Sequence, residues 1–268
     1  MTVAARRVRI PASGWFRPPA LPAGTAALLV GAIAWEGVAW LWQVPFFPPL
    51  SAVLARLVAM IGEGMILGNL AQSLSDLGVG FAISVVFGIA IGVLMGAYSK
   101  VEAALGIYVN AFLTAPSLVF APVFFSMFGL GRATIVAVIV MYSIFIIIVQ
   151  TTAAMKVAPV ELIEMGRSYC APRSALLRRI ILPAATPLIM AGVRLGMGRA
   201  VKGMINGEMF IAVVGLGRIV MDAGRRFDAE SVLAVLIVIV IVAMGAVKLV
   251  QIIDGRLTGW LPSTSRGA

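Results

Sequence analysis

Long apolar runs alternate with short polar segments along this chain. The runs cover residues 23–42, 70–97, 103–127, 133–152, 183–210 and 231–252. A helix needs about 20 apolar residues to cross a bilayer, and every one of these runs is of that order. None alternates with a period of two, as the strands of a membrane barrel do. The pattern predicts an all-α polytopic membrane protein of about six transmembrane helices. Between the first two runs Pro45, Pro48 and Pro49 break the chain, and residues 54–61 predict a short interfacial helix.

Two runs are rich in small residues. In the second, Gly80, Ser84, Gly88, Gly92 and Gly96 recur at every fourth position, a face on which another helix can approach closely, within this chain or from another. The fifth holds Gly192, Gly196, Gly198, Gly203 and Gly207. The third contains Pro116 and Pro122. A proline inside a span frees carbonyls that need a protein interior or a wet cavity. Pro116, with Phe120 one turn on, therefore marks either a pathway helix or a packing kink.

The fifth run also carries Arg194, Arg199, Lys202, Asn206 and Glu208. Arg199, Lys202 and Asn206 are spaced three and four apart and share one helix face. Counted from Pro183 at about 1.5 Å per residue, Lys202 lies roughly 28 Å along the helix. Charges at such depth face a cavity or a partner. Two readings stay open: Arg199, Lys202, Asn206 and Glu208 line a translocation pathway, or Glu208, Glu36 or Asp76 neutralises the cations in structural ion pairs. Residues 211–230, rich in charge and containing Gly215 and Gly217, read as a loop.

Between the fourth and fifth runs lies a segment from Pro159 to Pro183 that carries Glu161, Glu164, Arg167, Arg173, Arg178 and Arg179. So many charges do not lie in hydrocarbon. Leu162, Met165 and Tyr169 fall at helical spacing, as do Leu176 and Ile180, so the segment predicts two short amphipathic helices broken near Ala171-Pro172. A charged helix pair between two spans is a docking knob for something outside the membrane.

Composition narrows the function. The 268 residues are 61% hydrophobic and 12% charged, against about 25% charge in a soluble domain. The mean hydropathy is +1.06. The formal charge of +10 marks cytoplasmic loops in such a protein rather than nucleic-acid binding. With the N-terminus inside, segments expected inside carry 12 Lys and Arg and those expected outside carry 5, which favours that orientation. A single cysteine, Cys170, excludes an internal disulfide, and the absence of histidine excludes imidazole metal sites and His-based acid–base catalysis. No Gly-Lys pair occurs, so there is no Walker A loop and no ATP site in this chain. The expected organisation is a cytoplasmic tail over 1–22, a first span and outer segment over 23–69, a core over 70–254 and a cytoplasmic tail over 255–268.

The charged segment reads Glu164-Met165-Gly166, then Cys170, then Ile181-Leu182-Pro183. Placed between the fourth and fifth of six spans, it resembles the EAA loop of bacterial ABC importer permeases. That pattern is Glu-Ala-Ala, a glycine four residues on, and an apolar-Leu-Pro close. Ser73-Leu74, Gly80-Phe81, Arg178-Arg179, Pro183-Ala184-Ala185, Gly207-Glu208-Met209 and Gly215-Leu216-Gly217 extend the resemblance to the nitrate, taurine and sulfonate branch. The departures are Met165 and Gly166 at the alanine positions, Cys170 at the glycine position, and Asp76 where the branch usually has arginine.

The resemblance implies a type I importer fold in the bacterial inner membrane, with both termini cytoplasmic. It implies a second permease copy, identical or a sister chain, and an extracytoplasmic binding protein that delivers a small polar, anionic solute. ATP and Mg would be bound by two separate ATPase subunits, so this chain would hold no cofactor and be no enzyme. The ATPase-coupling residues would be Glu161, Glu164, Gly166, Arg167, Cys170, Arg173, Leu176, Leu177, Arg178 and Pro183. A stand-alone secondary transporter or channel is the alternative; it would need coupling-ion sites and often inverted repeats.

Overall fold

The structure is a computed structural model that describes residues 23–211 and 213–258. The chain divides into two compact units between Ser51 and Ala52. In the first, α1 (Ala23–Trp42) is apolar and largely exposed around its circumference, as a lipid-facing helix is. The Trp35 ring stacks on Phe47 at 5.7 Å and its N–H donates to the Pro48 carbonyl at 3.1 Å. Glu36 accepts from the Ser51 N–H and hydroxyl at 3.1 and 2.7 Å.

The second unit is organised around α6 (Arg132–Met155), where Ile135, Val138, Ile139 and Ile147 are fully buried. Helices α3 (Met65–Ala97) and α9 (Leu182–Ile211) both pack along it, and both turn glycines towards it. A Cβ on Gly80 or Gly88 would fall 2.7 or 2.9 Å from Ile139 or Ile147, and on Gly92 or Gly96 2.5 Å from Thr151 or Met155. On α9, a Cβ on Gly192, Gly196 or Gly203 would fall 2.5, 2.7 or 2.9 Å from Gln150, Ile147 or Tyr142. The small-residue face of the second span is thus a packing surface within one chain. Hydrocarbon gives helices no hydrophobic reason to associate, so close packing and a few polar contacts hold them. The Ser143 hydroxyl donates to that of Ser84 at 2.8 Å across the α3–α6 seam.

The third span is broken rather than kinked. Helix α4 (Ser99–Thr114) ends at Ala115, a 3₁₀ turn covers Ser117–Phe120, and α5 (Ala121–Phe128) leaves at 98°. Pro116 is the cause: a proline disfavours helical backbone at the residue before it, and Ala115 is extended at φ −63°, ψ 142°. The turn packs against α6 and α9. Among the described residues, five helices are long and apolar enough to cross a membrane, six if the broken pair is one span.

Helix α2 (Leu50–Gly62) contains the short helix expected over 54–61. Much of the segment expected as a loop over 211–230 is instead a helix, α10 (Gly215–Arg225). Leu216, Ile219 and Ala223 bury one side of it, while Arg218, Gly224 and Arg225 are exposed. Helix α11 (Ala229–Leu257) is capped by Asp228, whose carboxylate accepts the Ser231 N–H at 3.0 Å. It runs past the start of the tail expected from 255, while the tail over 1–22 and the end from 259 lie outside the described residues.

Candidate functional site

The charged segment after α6 forms one helix, α7 (Val160–Ser168), and then a single turn, α8 (Arg173–Leu176). The second short helix expected there is not separate. It continues through a π turn, Leu177–Ile181, into α9. Pro183 accounts for the π turn: it has no N–H for the Arg179 carbonyl, and in a regular helix its ring would strike that carbonyl. The turn widens, and the Leu182 N–H bonds to the Leu177 carbonyl instead.

The break between α7 and α8 is a Schellman turn. The Ala171 N–H donates to the Gly166 carbonyl at 3.1 Å and the Cys170 N–H to the Arg167 carbonyl at 2.8 Å. Cys170 has φ +54°, the left-handed conformation that glycine adopts without strain. The glycine of the EAA pattern therefore has a conformational reason, and Cys170 meets it under strain. Gly166 is buried at one of the pattern's alanine positions, and a Cβ on it would fall 2.4 Å from the Leu176 Cδ2. Leu176 is buried and Leu177 half-buried, whereas Glu161, Glu164, Arg167, Arg173, Arg178, Arg179 and Pro183 are exposed. Leu176 pins the turn to α7, and the charged side chains around it are left exposed.

Cys170→Gly should raise the thermal stability of the purified permease by the equivalent of about 1 kcal/mol, because the left-handed cost for an L-residue disappears. An unchanged or lower melting temperature contradicts the strain assignment.

On α9, Arg199 and Lys202 are exposed and Asn206 is half-buried, its amide donating to the Tyr142 hydroxyl at 2.8 Å. Neither cation makes an ion pair or hydrogen bond among the described residues. The acids considered as their partners are engaged elsewhere. Asp76, 1% exposed, accepts from the Arg132 Nε at 2.7 Å; Glu36 is held by Ser51; Glu208 is sealed in the core. The unpaired cations sit on an α9 whose glycines face α6. Pro116 is exposed, and Phe120 is half-buried against Phe112, with ring centroids 5.7 Å apart. Arg194, outside the Arg199 face, approaches Asp254 of α11 at 3.9 Å.

Glu208 is 0% exposed. Its Oε2 accepts the Gly217 N–H at 2.8 Å, and the Ser73 hydroxyl of α3 accepts the neighbouring Leu216 N–H at 3.0 Å. Two side chains thus hold the first turn of α10 against α3 and α9. Sequence reasoning placed Glu208 in the pathway, noted Ser73 only within the family resemblance and not as a partner of α10, and missed Tyr142. The signal was present in Glu208 followed by Gly215-Leu216-Gly217.

The class of protein follows from this arrangement. The fold is that of type I ABC importer permeases: it is similar to the MetNI methionine ABC transporter in an inward facing conformation, with a TM-score of 0.59 and 22% identity over 72% of this chain and 93% of that one. Residues 84–259 match the binding-protein-dependent transport system inner membrane component family, and the chain belongs to that family of multi-pass ABC importer permeases. It is 29% identical to the taurine transport system permease protein TauC of Escherichia coli (strain K12) over 91% of this chain and 90% of that one. It is 28% identical to the nitrate import permease protein NrtB of Synechocystis sp. (strain ATCC 27184 / PCC 6803 / Kazusa) over 64% of this chain and 62% of that one. These relatives put it in the nitrate, taurine and sulfonate branch. A stand-alone secondary transporter or channel does not fit that membership.

Proposed function

We propose that this chain forms the translocation pathway for a small anion of the sulfonate or nitrate kind. The observation that carries the reading is the pair of exposed, unpaired cations, Arg199 and Lys202, deep in the fifth span. Charge at that depth faces a water-filled cavity or a partner, and the acids of this chain nearest to that role are spent on other contacts. Two permease chains, identical in the simplest case, enclose the route between them. An extracytoplasmic binding protein delivers the solute. Two separate ATPases bind ATP and Mg and dock on the segment from α7 to the π turn, an amphipathic helix seated in a groove. Both termini are cytoplasmic.

The exposed Glu164 lies on the docking helix. Glu164→Lys should leave the permease inserted and folded but release the ATPase during purification, or leave it bound with hydrolysis no longer stimulated by the loaded binding protein. Unchanged recovery of the ATPase together with unchanged stimulated hydrolysis contradicts the docking assignment.

A further inference from the structure

A cavity of about 590 Å³ opens where the end of α3, the start of α4, the end of α6 and the α7–α8 turn meet. Arg167, Arg173 and Arg178 line it, and no carboxylate among the described residues does. All three arginines are exposed, and none makes an ion pair among the described residues. Glu102, the nearest acid along α4, is paired with Lys156 at 2.6 Å. Tyr98, the N-cap of α4, also lines the cavity, and no side chain caps that helix end, so its first N–H groups add positive potential. The carbonyl ends of α3 and α6 border the cavity as well. Each counts as about half a charge, against three full guanidinium charges.

Apart from Ser174, the remainder of the lining is apolar. Met155, Leu176 and Ile181 form part of it, at the level where α3 and α6 end and the long helix Arg173–Ile211 begins. Three forked donors beside an apolar wall, at the edge of the hydrocarbon layer, suit a phosphodiester with acyl chains attached. Guanidinium groups match phosphate oxygens two at a time, and basic pockets at the ends of membrane helices bind anionic head groups. A free phosphate would leave the apolar wall unused. The π turn fits the same purpose, since such turns are frequent at functional sites, and this one carries Arg178.

We infer that this cavity is a binding site for an anionic phospholipid, its phosphate held by Arg167, Arg173 and Arg178. A lipid there touches both sides of the docking segment, α7 and the π turn, and stabilises their spacing. The site is distinct from the transport pathway on α9.

The full-length chain, purified in nonionic detergent and stripped of lipid, is titrated in parallel with phosphatidylglycerol, phosphatidylcholine and inorganic phosphate, and adducts are read by native mass measurement. Phosphatidylglycerol should be retained in preference to phosphatidylcholine, and Arg167→Gln/Arg178→Gln should weaken its retention about tenfold or more. Arg225→Gln/Arg226→Gln removes the same charge from the end of α10 and should leave retention unchanged; circular dichroism checks that both variants stay helical. Equal retention of the two lipids overturns the inference. So does equal weakening by both double variants, or binding of inorganic phosphate at the arginines with no lipid adduct.

Discussion

Lys202→Ala should cut anion uptake by about tenfold or more, with Arg199→Ala close behind, while the importer still assembles and hydrolyses ATP. At an effective dielectric of about 20 a unit charge in contact with an anion gives several kcal/mol. Water in the route halves that or more, and about 1.4 kcal/mol is already tenfold. Neither cation has a partner among the described residues, so its removal leaves no buried acid of theirs behind. Stability should therefore hold, which separates a pathway residue from a structural one. Arg132→Ala is the contrast. It strands the buried Asp76 carboxylate, and it should lower the melting temperature sharply. If Lys202→Ala lowers the melting temperature and leaves uptake per folded complex intact, the pathway assignment fails.

Gly215→Ala should prevent a stable permease from accumulating. Gly215 has φ +83°, and a Cβ there would fall 2.2 Å from the Glu208 Cδ. The left-handed backbone alone costs an alanine about 1–2 kcal/mol. Making room adds more. Either Glu208 swings away from the Gly217 N–H, leaving a buried donor unpaired at about 1–3 kcal/mol, or α10 lifts off the hydroxyl of Ser73. Gly224→Ala is the control, since a Cβ there meets nothing within 4 Å and should change stability by less than about 0.5 kcal/mol. The clash is specific to one side chain. Glu208→Ala should therefore destabilise less in the Gly215→Ala background than alone, a coupling that a double-mutant cycle reads directly. Additive losses would mean that Glu208 and Gly215 do not meet.

The apolar runs of the sequence marked nearly every long helix, because membrane helices advertise themselves by length and composition. The glycine faces were legible too, since spacing by four fixes a stripe on a helix. Their partner was not, because the stripe says only that something comes close. In the structure it is the same helix, α6, for both α3 and α9. Pro116 announced a disturbance without an angle; the 98° turn depends on the packing of Ser117–Phe120 against α6 and α9. Helix α10 was hidden by its charges. Arg218, Asp222 and Arg225 crowd the view, yet Leu216, Ile219 and Ala223 beneath them keep helical spacing. The charged loop was recognisable from Glu164 to Pro183, and its departures from the family pattern became intelligible only as geometry. Cys170 occupies a left-handed residue, and Gly166 makes room for Leu176. Glu208 looked like a pathway charge because sequence gives depth along a helix but not which neighbour closes over it.

The central proposal is ATP-driven import of an anion through this chain. The permease, purified with its ATPase and reconstituted in liposomes with its binding protein, is supplied with labelled taurine, an alkanesulfonate or nitrate, and uptake is followed with internal ATP and after collapse of the ion gradients. Uptake of at least one of these solutes that requires ATP and survives a protonophore is the predicted result. Uptake that survives ATP removal and disappears with the gradients would contradict it.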